Sequence, residues 1–60
     1  MKYLLVTEHW VDADGWPEAQ AKLSTVEDAI ARSGVDAELN SSYVENEDTG
    51  ERQDAQGDSV

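Results

Sequence analysis

From Lys2 to about Asp12 the chain is rich in Tyr, Val, Thr and Trp and meets no Gly or Pro before Gly15. That pattern predicts a β-strand. Tyr3, Leu5, Thr7, His9 and Val11 fall on one face and Leu4, Val6, Glu8 and Trp10 on the other, so both faces are largely apolar in the first half. A strand of this kind is expected to be buried on both sides. One helix can cover only one of them, so a symmetry mate or a partner is expected on the second.

Asp12-Ala13-Asp14-Gly15 reads as a turn, and Trp16-Pro17-Glu18 as a helix entry, with Pro early and an acid in the first turn. Ala19, Leu23, Val26 and Ile30 then recur at helical spacing, and Gly34 follows Arg32 and Ser33 as a stop. The expected helix runs from about 17 to 33. Ser24 with Glu27 forms a second capping box, which leaves open a break near Ser24.

Beyond Gly34, Val35, Ala37, Leu39, Ser41 and Tyr43 alternate with Asp36, Glu38, Asn40 and Ser42, the pattern of a half-buried strand with one wet face. From Glu45 on, Ala55 and Val60 are the only hydrophobic residues, so residues 45–60 are expected to form a disordered acidic tail. The expected fold class is α+β, or a small α/β unit, in which residues 1–44 make a strand–helix–strand domain. Two strands and one helix are too few for independent stability. A homodimer that completes the sheet is the expected remedy.

Composition narrows what such a domain can do. The chain has 60 residues, no cysteine and one histidine, so neither a disulfide nor a structural zinc is available as a staple. The apolar run in MKYLLV ends at Glu8, too brief for a signal-peptide core or a membrane span, which points to a cytoplasmic protein. Fourteen acids face four bases, for a formal net charge of −10. Direct binding to nucleic acid or to an anionic membrane is therefore not expected. Residues 1–44 carry eight acids and three bases and residues 45–60 six and one, so the excess is shared equally.

Catalytic motifs are hard to find in this sequence. His9 would have to anchor any triad or histidine metal site alone, and its place beside Thr7 and Val11 suits an ordinary histidine on a sheet. Asp12-x-Asp14-Gly15 resembles the start of a calcium loop, but Trp16, Pro17 and Leu23 stand where such a loop needs an oxygen ligand, Gly and Glu. The glycines at 15, 34, 50 and 57 lack phosphate-loop spacing. No cofactor and no metal are expected, and the protein is read as a non-enzyme. Trp10 and Trp16 are expected mainly in the core, with Trp10 also a candidate interface anchor.

The acid itself is the remaining candidate for function. On a strand, Asp36 and Glu38 would sit about 7 Å apart, comparable with the phosphate spacing along a nucleic-acid strand. Glu8, Glu27 and Asp28 could extend that row, giving a candidate partner-binding set of Glu8, Trp10, Glu27, Asp28, Asp36 and Glu38. The expected partner is a basic, nucleic-acid-binding protein that the acidic surface inhibits or regulates. In size, acidity and lack of catalytic groups the chain is similar in kind to small phage-encoded inhibitors that imitate DNA, including some anti-CRISPR proteins. The alternative is a small oligomeric or adaptor domain from a halophilic prokaryote, whose acidity maintains solubility in high salt.

Overall fold

Helix α1 (Trp16–Arg32) forms where the apolar spacing and Pro17 place it, within one residue of expectation at each end and unbroken through Ser24. The computed structural model describes all residues from Met1 to Val60. Gly15, at the N-cap, has no side chain to offer the first turn, and Glu18 compensates by accepting the backbone N–H of Asp14 at 3.0 Å. Lys22, one turn on, lies 3.6 Å from the Glu18 carboxylate and donates to the carbonyl of Asp12. At the other end Ser33 donates its hydroxyl to the carbonyl of Ile30 and accepts the N–H of Val35, and Gly34 turns the chain out of the helix with φ 83.

The strands lie elsewhere than the alternation suggests. β1 (Val44–Glu45) and β2 (Arg52–Gln53) pair antiparallel, Val44 opposite Gln53 and Glu45 opposite Arg52, and a single bridge joins Gln53 to Ser59. The strands predicted over residues 2–12 and 35–43 are absent as such. Residues 1–11 and 36–43 make no backbone hydrogen bond, and without a ladder partner their β-prone sequence gives only exposed chain.

Both strands and the turns around them fall at or beyond the boundary drawn at residue 44, in the stretch whose composition suggests a tail. Polar side chains organise it. The Asn46 carboxamide oxygen accepts the N–H groups of Asp48 and Thr49, and Gly50 closes the turn with φ 74. Asp54 repeats the device on Gln56 and Asp58, with Gly57 at φ 90. These are turns in which Asn or Asp substitutes for a backbone partner. Arg52 binds Glu45 at 2.8 Å and stacks over the Tyr43 ring at 4.7 Å, and Glu45 holds the guanidinium still more firmly protonated.

Gln20 joins helix to hairpin by donating to the Gln53 side chain at 2.7 Å. Of the expected apolar stripe Ala19 and Leu23 are half-buried, whereas Val26 and Ile30 are each 52% exposed. The expected inner face of residues 35–43 is also open, with Leu39 75% exposed, and neither tryptophan is in a core: Trp16 is half-buried and Trp10 is 72% exposed. No residue of the sixty is fully buried. The accessible surface of 5403 Å² exceeds by roughly 1,500 Å² the value of about 3,900 Å² expected for a compact 6.6 kDa protein. The radius of gyration, 12.3 Å against about 10.4 Å for a compact chain of this length, agrees. No helix is long and apolar enough to cross a membrane.

Two predictions follow from the local bonds. A Cβ on Gly57 would lie 3.3 Å from the Gln20 amide nitrogen, whereas one on Gly50 meets nothing within 4 Å. Both positions need positive φ, so Gly50→Ala is expected to destabilise the hairpin by about 1–2 kcal/mol, and Gly57→Ala by more; amide exchange at β2 measures both. The second concerns pH. The Asp14 N–H, and after it Lys22, hold the Glu18 carboxyl below its ordinary value of 4.5. A depressed carboxylate stabilises the folded form above its unfolded pKa and ceases to do so as pH falls through the folded value. Glu18→Gln should therefore melt slightly below the wild type at pH 7 by helical circular dichroism, and the gap should shrink as pH falls below the ordinary carboxylate value and close below the depressed folded one.

Candidate functional site

An open cleft runs between the extended segment 2–11, the Ala19–Leu23–Val26–Ile30 side of α1 and the segment from Val35 to Glu47. Its walls follow from the mismatch just described. The apolar residues of three segments converge on one space, but none of the segments closes over it. Leu4, Val6 and Leu39 remain largely exposed there.

Five of the six candidate partner-binding residues line this cleft: Glu8, Trp10, Glu27, Asp36 and Glu38. Asp28 is exposed on the helix outside it. Glu27 is half-buried, and the others stand in solvent. The expected row of free carboxylates on a strand is not formed. Residues 35–43 lack a ladder to hold Asp36 and Glu38 in register, and Glu38 is engaged by the Lys2 ammonium at 3.0 Å.

The charge balance is nonetheless lopsided. Lys2, Lys22 and Arg52 are each bound to a carboxylate, Glu38, Glu18 and Glu45 respectively, and Arg32 makes no ion pair. Eleven of the fourteen acidic side chains therefore have no cationic partner. Within the cleft Glu8, Glu27, Asp36 and Glu47 are unpaired, and every cation lining it is occupied. The walls combine apolar surface with uncompensated negative charge, a combination that favours a ligand with an apolar body and cationic groups.

His9 lines the cleft, exposed, and no side chain hydrogen-bonds to it, so no carboxylate or hydroxyl orients its ring. No group of three or more His, Asp or Glu side chains is placed to hold a metal ion. The Tyr43–Glu45–Arg52 cluster and the Asn46 and Asp54 turns lie outside the elements that the hydrophobic pattern predicts. Their signals, an Asn or Asp followed by Gly three or four residues on, occur twice in the acidic stretch, at Asn46–Gly50 and Asp54–Gly57. No family model, curated protein or solved structure matches the chain.

Proposed function

We propose that this protein is a non-enzymatic acidic binding module of the cytoplasm that inhibits or regulates a basic, nucleic-acid-binding protein by occupying its cationic surface. The observation that carries this reading is the uncompensated charge: eleven carboxylates without a cation, four of them around an apolar cleft. Cationic grooves built for phosphates accept carboxylates by the same charge attraction, and long-range attraction raises the rate of encounter. Glu8 and Asp36 lie on segments without backbone hydrogen bonds, whereas Glu27 is on α1 and Glu47 in the hairpin turn, so the set suits a surface that adjusts to its partner better than a rigid ruler of phosphate spacings. Segment 45–60 adds half of the net charge and contributes to steering.

An arginine-rich nucleic-acid-binding peptide with bound duplex provides the test. The protein should displace the duplex, with affinity falling steeply as salt rises. Asp36→Lys with Glu27→Lys should weaken displacement at least tenfold at low salt, on the scale of two close charge pairs. Unchanged affinity in that double variant would remove the basis of the proposal.

A second reading, adaptation of a small adaptor domain to high internal salt, draws on the spread of unpaired carboxylates over both halves of the chain. It expects helical circular dichroism to collapse on dilution from molar to tenth-molar salt. Retention of the helix at low salt would count against it.

A further inference from the structure

We infer that residues 1–9 form a self-complementary strand that pairs antiparallel with the same segment of a second copy, centred on Leu5. The segment has strong β propensity, makes no backbone hydrogen bond and is exposed throughout. Its open edge is therefore a template for another strand.

The sequence selects both the occupant and the register. With Leu5 opposite its own equivalent, Leu4 faces Val6, Tyr3 faces Thr7, and Lys2 faces Glu8 of the second copy, each pair occurring twice by symmetry. No other antiparallel register sets Lys2 opposite Glu8. On one face this gives a cluster of two Leu4 and two Val6 side chains flanked at both ends by an opposite-charge pair, the arrangement that stabilises cross-strand neighbours. The stretch is also the neutral part of an otherwise acidic molecule: Lys2 and Glu8 cancel, and the −10 arises from residues 12–60. Two copies can approach here without direct repulsion along the seam. Lys2 is available for the exchange, because its bond to Glu38 joins side chains 91% and 80% exposed and is correspondingly weak. The surface in excess of a compact chain, roughly 1,500 Å², is ample for the ~800 Å² that one partner contributes to a standard interface.

Sedimentation equilibrium of the full chain across salt concentrations tests the inference. Dimerisation should strengthen as salt screens the two acidic bodies, the reverse of the salt response expected for a basic partner. In an antiparallel ladder either Leu4 or Leu5 must donate to the partner strand, so at least one of Leu4→Pro and Leu5→Pro should yield a monomer. Since residues 1–11 make no backbone hydrogen bond within the chain, both variants should keep the helical circular dichroism of the wild type.

Glu8→Lys should weaken the dimer about tenfold by setting like charges opposite each other, although it lowers the net charge and would on that ground alone favour association. Adding Lys2→Glu should restore dimerisation to within about threefold of wild type. A monomer at every salt concentration, a dimer that survives both prolines, or a charge swap that fails to rescue would each overturn the inference. Because Glu27 and Asp36 lie outside the seam, the Glu27→Lys/Asp36→Lys variant should still dimerise while it loses displacement of the duplex from the arginine-rich peptide. Failure of peptide binding with dimerisation intact would thus count against the proposed function alone.

Discussion

Surface-to-volume ratio governs this molecule. A folded chain of about sixty residues ordinarily withdraws about 60% of its unfolded surface from water; this one, with 5403 Å² exposed, withdraws only about 44% of the ~9,600 Å² expected unfolded. Hydrophobic burial, the main source of folding free energy, is correspondingly thin. Order is maintained instead by polar devices, most of them working within a few residues: the Glu18 carboxylate on the Asp14 N–H and the Asn46 and Asp54 turns, with the Gln20–Gln53 bond alone joining helix to hairpin across 33 residues. Each is exposed or half-exposed and individually modest. The fold is held locally, and its long-range contacts are the weak ones.

That division explains what could be read from the residues. Pro17, Glu18, the spacing of Ala19, Leu23, Val26 and Ile30, and Gly34 are all local instructions, and α1 obeys them within a residue at each end. A strand has no such autonomy. The alternation from Val35 to Tyr43 and the apolar run after Lys2 describe what those segments would do beside a partner strand, and the isolated chain has none to offer. Beyond residue 44 composition gives no sign of the turns. Few hydrophobic residues imply little to bury, yet Asn46, Asp54 and two glycines at positive φ organise turns without burying anything. Five of the candidate residues line one open cleft, but the row expected of them is not present as a geometry. Its spacing depended on a strand that does not form.

The surface that the hairpin offers α1 is polar, its side chains from Glu45 to Arg52 being bonded largely to one another. Gln20 offers that surface a hydrogen bond to Gln53, and Ser24 and Glu27 accompany it as half-buried neighbours. The apolar side of the helix is thereby directed into the cleft, together with Leu4, Val6 and Leu39. The hairpin is thus too polar to serve as the second layer that the helix requires.

Charge decides how such a molecule can associate. Every uncompensated carboxylate that draws the protein to a cationic surface also repels a second copy, so partner binding and self-association compete wherever they use the same face. A seam through residues 1–9 avoids that conflict, because its two charges cancel and its centre is apolar. The two equilibria are then coupled through the net charge. On the proposed reading, a basic partner that neutralises carboxylates on one copy would lessen its repulsion of the other, and by linkage the dimer would bind that partner more tightly than the monomer. The magnitude of the coupling depends on how close the partner's cations lie to the seam, since at physiological salt the field of one copy decays over about 8 Å. Of the cleft carboxylates, Glu8 is the one within the proposed seam, where it would pair with Lys2 of the second copy. The coupling must therefore operate through Glu27, Asp36 and Glu47, which belong to the cleft and lie outside the paired strands.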